Sequence, residues 1–320
     1  MTLTGNLNKY NTLLDEEVWA FIDRTNASYP EDTVNFSIQE QRQIYDAMCA
    51  EFFAGYPPGI DSEDQHIDTS EGVIAVRQYV QKDENPKANV IYCHGGGYVV
   101  GGLESHDDIC AEICKQTSCT VYSIDYRLSP EHLHPAAYRD TLNGFEYVAG
   151  LSELPIIVVG DSAGGNLVSA LCHSTRLNSL RPVGQVLIYP ELGGDMSGGS
   201  YVEHCEAPLL NIKDVEYYCG VRNNGINLTD DPTYSPLRDT DFSALPPTVV
   251  IAAECDPLSD DGNHYCSFIS KAGGRAKFIR ESGLVHGYLR ARHSVKKAAA
   301  SFGRITSTIS MLGESRWDFD

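Results

Sequence analysis

The 320-residue sequence predicts an α/β fold, a mostly parallel central sheet with helices on both faces. Three observations carry that prediction. Short apolar runs recur at Asn89 to Cys93, Thr120 to Tyr126, Ile156 to Val159, Gln185 to Tyr189, Thr248 to Ala253 and Ala276 to Ile279. They are continuous rather than alternating, as strands covered on both faces of a parallel sheet are. Helical patterns separate most of them, around Asp107 to Gln116, Ala136 to Ala149, Asn166 to Leu177 and Asp261 to Ala272, and this alternation implies right-handed crossovers.

The remaining elements follow in chain order. Residues 8 to 55 place Leu13, Val18, Phe21 and Ile22 at helical spacing, which predicts two N-terminal helices divided near Pro30. The break Gly55-Tyr56-Pro57-Pro58-Gly59 ends them. The alternating stretch Val73 to Tyr79 predicts one more strand. No internal repeat or low-complexity tract interrupts the series, and the length suits one large domain with decorations as well as two domains.

Composition narrows the class of function. Hydrophobic residues make up 42% and the net charge is -20, which argues against nucleic acid or an anionic membrane surface as partner. No run reaches membrane-spanning length, and MTLTGNLNKYNTLLDEE lacks the basic and apolar blocks of a secretory signal, so the expected location is cytoplasmic. The ten cysteines include no C-x-x-C pair, and Cys110 and Cys114, one helical turn apart, lack zinc-spaced histidines. Free, mostly buried thiols are the expectation.

In open α/β sheets the active site lies beyond the carboxyl ends of the strands, so the residues after each strand carry the functional reading. After Ile156 to Val159 comes Gly160-Asp161-Ser162-Ala163-Gly164, which fits G-x-S-x-G in the strand, turn and helix context of a nucleophile elbow. On the pentapeptide alone an ordinary glycine-serine turn is an equally good reading. After Cys93 comes His94-Gly95-Gly96-Gly97-Tyr98. Three consecutive glycines cost backbone entropy, and acyl transfer supplies a reason for them: bare amides can approach an oxyanion without obstruction. The Ala163 amide, next to the serine, is the further donor expected of an elbow.

Serine needs a base, and His286 alone of ten histidines follows the last apolar run in a glycine-flanked loop. His66, His173, His204, His264 and His293 are read as surface or satisfied core residues, and His94 as a brace for its own loop. The base needs a carboxylate to fix its tautomer, and Asp256 lies in the acidic turn Cys255-Asp256-Pro257 that follows the strand TVVIAAE. Asp260 and Asp261 are expected to cap the next helix, and Glu254 is the weaker rival for the acid. The order Ser162, Asp256, His286 is that of the α/β-hydrolases.

From about residue 70 onward the chain resembles a known family. HGGGYVVGGLESHD, DYRLSPEHLHPAA, GDSAGGNL, ECDPLSDDG and HGY look like the blocks of the hormone-sensitive-lipase-like esterases, bacterial family IV, in the right order. The resemblance implies an α/β-hydrolase core under a helical cap, here residues 1 to 55 and about 191 to 225, around a core of residues 56 to 320. It implies hydrolysis of short-chain carboxylic esters with no cofactor and no metal, Ser162 as nucleophile, Asp256 as acid and His286 as base. The oxyanion hole is expected from Gly96, Gly97 and Ala163, with Gly95 in the same loop. A small ester is then the partner, and a homodimer through an edge strand and helix is open. His134, where an aromatic is frequent, and Tyr98-Val99-Val100 depart from the family pattern. Alternatives are an amidase or peptidase, and a non-catalytic ligand-binding member of the fold.

Overall fold

A computed structural model describes residues 7–30 and 33–319. Residues 1–6 and 31–32 of the expected N-terminal cap segment, and residue 320, lie outside the described residues. Three helices open the chain, α1 (Leu7–Leu13), α2 (Glu16–Ser28) and α3 (Ile38–Glu51). Two were expected before Gly55; the extra break falls at Asp15, whose carboxylate accepts from the Val18 amide and starts a new helix. Ser37 and Glu40 close a capping box on α3.

The sheet strands are β1 (Ile60–Thr69), β2 (Gly72–Gln81), β3 (Asn89–Cys93), β4 (Thr120–Asp125), β5 (Ile156–Asp161), β6 (Gly184–Ile188), β7 (Thr248–Cys255) and β8 (Ala276–Val285). Their spatial order is β1-β2-β4-β3-β5-β6-β7-β8, and every pair from β4 to β8 is parallel while β2 runs antiparallel to both neighbours. The connecting helices are α4 (Asp107–Thr117), α5 (Ala136–Leu151), α6 (Ala163–Thr175), α7 (Gly199–Glu203), α8 (Ile212–Asn223), α9 (Ser259–Lys271) and α10 (Lys296–Gly313). Among the described residues, none is long and apolar enough to cross a membrane.

The continuous apolar runs have a structural cause. On one face Val90, Tyr92, Ile157, Val159, Val186 and Ile188 join a core with α4 and α10, through residues such as Ile109, Phe302 and Ile309. On the other face Ile91, Cys93, Ile156, Val158 and Leu187 join α5, α6 and α9 through Phe145, Leu171 and Ile269. Both sides of β3, β5 and β6 leave water, so neither side is free to be polar. The ten cysteines are free thiols, eight of them buried.

Two elements were absent from the sequence reading. Strand β1 is polar and exposed, with only Ile60 and Ile67 buried, and is held by pairing along its whole length with β2. Helix α10 buries Ala298, Phe302, Ile305, Ile309 and Leu312, a 4-3-4-3 spacing that marks a helix face.

The joint between β5 and α6 is the tightest point of the fold. A Cβ on Gly160 would lie 2.3 Å from the Gly164 carbonyl oxygen, and one on Gly164 would lie 1.9 Å from that of Cys93. Helix and strand therefore touch backbone to backbone. Gly164→Ala is expected to push α6 off β3 and lower the unfolding free energy by at least about 2 kcal/mol, read from urea denaturation; an unchanged midpoint would contradict the packing.

Candidate active site

Strand register delivers the chemistry. Cys255 pairs with Val285 after a shift in the β7–β8 ladder, so the next residues, Asp256 and His286, leave the sheet side by side. Cys93 pairs with Gly160, which brings His94 and Gly95 beside Asp161. Ser162 leaves β5 in a left-handed conformation, φ 54° and ψ -120°, that a non-glycine residue holds only under constraint. Its amide donates to the Ile188 carbonyl at 2.9 Å, and its own carbonyl accepts from Glu191 and Asn166.

The three residues expected to work together do meet. The His286 Nδ1 lies 2.7 Å from Asp256 Oδ2, and its Nε2 lies 2.9 Å from Ser162 Oγ. Ionised carboxylate oxygens only accept, so the Nδ1 position carries the proton and Nε2 faces the hydroxyl as an acceptor. Asp256 is fully buried and its other oxygen accepts from the Leu258 amide. His286 is slightly exposed and its ring packs 4.7 Å from that of Tyr189. Asp256 is thus closed off from solvent, while His286 and Ser162 are both partly exposed.

The glycine loop divides its amides between two jobs. Gly95, included among the expected oxyanion donors, gives its N–H to Asp161 Oδ1 at 2.9 Å, and a Cβ there would strike the same carboxylate. It is an anchor, and this corrects the expectation. Among the described residues no hydrogen bond engages the amides of Gly96 and Gly97, and Ala163 opens α6, where N–H groups have no helical partner. Gly96 and Gly97 adopt φ of 124° and 60°, which favours glycine at both positions.

Asp161 was passed over in the sequence because it reads as filler inside G-x-S-x-G. It is buried, and it also accepts from the Tyr92 hydroxyl at 2.7 Å with His106 Nε2 at 3.4 Å. Burial alone would lift its carboxyl, but His106, Tyr92 and the Arg290 charge outweigh that and hold it well below the usual carboxylate range. His94 braces the loop as expected: its Nδ1 contacts the Gly95 carbonyl oxygen at 2.7 Å and its ring stacks 4.2 Å from Tyr126.

Asp260 and Asp261 do not cap α9; Leu258 is the cap residue and no side chain bonds there. Both sit in the first helical turn and reach across to the segment after β6. Asp261 accepts from the Leu192 and Gly194 amides and the Tyr201 hydroxyl, and Asp260 accepts from Ser200 N and pairs with Arg280. Burial, reinforced by the nearby Glu191 charge, pushes the Asp261 carboxyl up to about 7. The rival Glu254 accepts from Ser282 and Gly283, away from His286.

Comparison with known proteins identifies the family. A family model described as the alpha/beta hydrolase fold matches residues 90–290. The carboxylesterase NlhH of Mycobacterium tuberculosis is 35% identical over 244 residues, covering 72% of this chain and 76% of that protein. The chain belongs to the hormone-sensitive-lipase-like branch of the α/β-hydrolase family. This hydrolase is also 30% identical over 305 residues to an arylesterase of Saccharolobus solfataricus, covering 92% and 99% of the two chains. A hyperthermophilic esterase from the archaeon Pyrobaculum calidifontis has a similar structure, with a TM-score of 0.88 at 29% identity, covering 93% of this hydrolase and 98% of that chain.

The brace at His94 gives the hydrolase an acid-sensitive point. Burial lowers this imidazole from 6.5 to about 4. The folded protein keeps it neutral down to that pH while the unfolded chain takes up its proton earlier, so acidification through this window favours unfolding. Between pH 7 and 4 the wild type is expected to lose about 3 kcal/mol more unfolding free energy than His94→Phe, measured by urea titration; equal losses would contradict the buried neutral ring.

Proposed function

We propose that this carboxylic ester hydrolase acts on short-chain acyl esters through an acyl-enzyme formed at Ser162. His286 takes the Ser162 proton as the hydroxyl attacks the ester carbonyl, and Asp256 holds the ring in the required tautomer and stabilises its cationic form. The oxyanion accepts from the amides of Gly96, Gly97 and Ala163, each worth on the order of 3 kcal/mol in the transition state. His286 then protonates the departing alkoxide, and water repeats the cycle on the acyl-enzyme to release the acid. The observation that carries this reading is the unbroken hydrogen-bond line from Asp256 through His286 to Ser162.

The cap is part of the same proposal: residues 1–55 and about 191–225 cover the site, around a core of residues 56–320. Contacts between the two segments support it, since Gln41 of α3 donates to the Tyr217 hydroxyl of α8 at 2.7 Å and the Tyr29 and Tyr218 hydroxyls are 3.4 Å apart. The Tyr218 ring stands close against Gly97. That limits the room beside the oxyanion amides and suits a small acyl group.

Ser162→Ala is expected to retain its fold and lose about three or more orders of magnitude in turnover of p-nitrophenyl acetate. Near-normal hydrolysis by this variant would overturn the assignment. In a series of p-nitrophenyl esters from acetyl to decanoyl, run beside one p-nitroanilide, kcat/KM should fall with acyl length and the anilide should be the poorest substrate. A preferred anilide would favour an amidase, and no turnover at all would favour a ligand-binding role.

A further inference from the structure

Helix α8 touches the glycine loop at two successive residues. Tyr218 and Arg222, four apart and therefore on one helix face, lie on Gly97 and Tyr98 respectively. The Arg222 guanidinium is buried between two rings, 3.7 Å from the Tyr98 centroid and 4.1 Å from that of Tyr234. It donates to the Tyr234 carbonyl oxygen at 3.1 Å and to Asn166 Oδ1 at 3.2 Å, and its nearest carboxylate oxygen is Glu191 Oε2 at 3.8 Å. The same Glu191 oxygen accepts from the Tyr98 hydroxyl at 2.8 Å and from Asn166 Nδ2 at 3.2 Å.

Burying a cation costs free energy unless rings and acceptors surround it, so a guanidinium on the inward face of a helix calls for a role. Its neighbours define one. Tyr98 directly follows the oxyanion glycines and itself sits at a φ of 65°, a conformation that only surrounding contacts sustain. Asn166 lies in the first turn of the helix that Ser162 begins, and its amide donates to the Ser162 carbonyl oxygen. Arg222 thus spans the two halves of the oxyanion hole. The loop is pinned from below by Asp161 on Gly95 and from above by α8 on Gly97 and Tyr98.

We propose that Arg222 is a positioning residue for ester hydrolysis: clasped between Tyr98 and Tyr234 and tied to Asn166, it keeps the Gly96 and Gly97 amides in register with Ser162. The hole is then complete only while α8 is docked. This inference rests on the reading of Ser162 as nucleophile and of these amides as oxyanion donors.

The test uses Arg222→Met, which keeps length and apolar contact but removes the charge and the donors, beside Arg222→Lys. Circular dichroism checks folding; kcat and KM are measured with p-nitrophenyl acetate, and inhibition with a trifluoromethyl ketone whose adduct carries an oxyanion. For Arg222→Met, kcat should fall about 10- to 100-fold with KM changed less than about threefold, and the inhibition constant should rise in proportion to the loss of kcat/KM. Arg222→Lys should recover part of the rate. A folded Arg222→Met with kcat within about twofold of wild type, or with its loss confined to KM and inhibitor affinity unchanged, would overturn the proposal. If Arg222→Met does not fold, Tyr98→Leu decides: it removes the ring stacked on Arg222 together with the bond to Glu191 and should lower kcat and inhibitor affinity together by about three- to tenfold, while an unchanged rate refutes the clasp. An active Ser162→Ala control would instead sink the underlying reading, whatever Arg222 does.

Discussion

The structure turns on one backbone constraint, the left-handed bend at Ser162 between β5 and α6. The bend needs Gly160 and Gly164, whose missing side chains let helix and strand meet backbone to backbone. It is held by hydrogen bonds on both sides, from the Ser162 amide to Ile188 and from Glu191 and Asn166 to the Ser162 carbonyl. Strand β5 lies inside the sheet with β3 on one side and β6 on the other. A residue raised at its end can therefore be reached by the glycine loop after β3 and by the loops after β7 and β8. Strain at one residue, supported by packing around it, is what places a hydroxyl where three other strand ends converge.

Two buried aspartates near the site divide the electrostatic work. Asp256 faces the imidazole and orients it, with a backbone amide as its second partner. Asp161, adjacent to Ser162 in sequence, gathers Gly95, Tyr92 and His106. One carboxylate orients the imidazole, and the other anchors the loop whose Gly96 and Gly97 amides carry no hydrogen bond among the described residues. A third buried carboxylate, Asp261, ties the segment after β6 to the start of α9 through the Leu192 and Gly194 amides and the Tyr201 hydroxyl.

Much of this was legible in the sequence, for definite reasons. Strands β3 to β7 were readable because burial on both faces leaves an uninterrupted apolar run, while only the start of the partly exposed edge strand β8 was legible; Ser162, Asp256 and His286 followed because each comes directly after a strand. Strand β1 was not readable: its residues face water, and it forms because β2 offers a partner edge, a long-range cause that leaves no local pattern. The same holds for Asp260 and Asp261. Near a helix start an aspartate reads as a cap, whereas here both reach to residues 192 to 201, far away in the chain. Gly95 could not be told from its two neighbours until the Cys93–Gly160 register set it against Asp161. The inward face of α8 did carry a signal, since Val215, Tyr218 and Arg222 share one helical stripe and an arginine there is out of keeping with an apolar face.

The central claim is that Ser162 becomes covalently acylated because His286 withdraws its proton. Rapid acid quench of the enzyme during turnover of a p-nitrophenyl ester, followed by peptide mass spectrometry, tests it most directly. The account predicts one acyl group per chain, carried on the peptide containing Ser162, and none in His286→Ala. An acyl group on any other residue, or equal labelling of Ser162 without the imidazole, would contradict it.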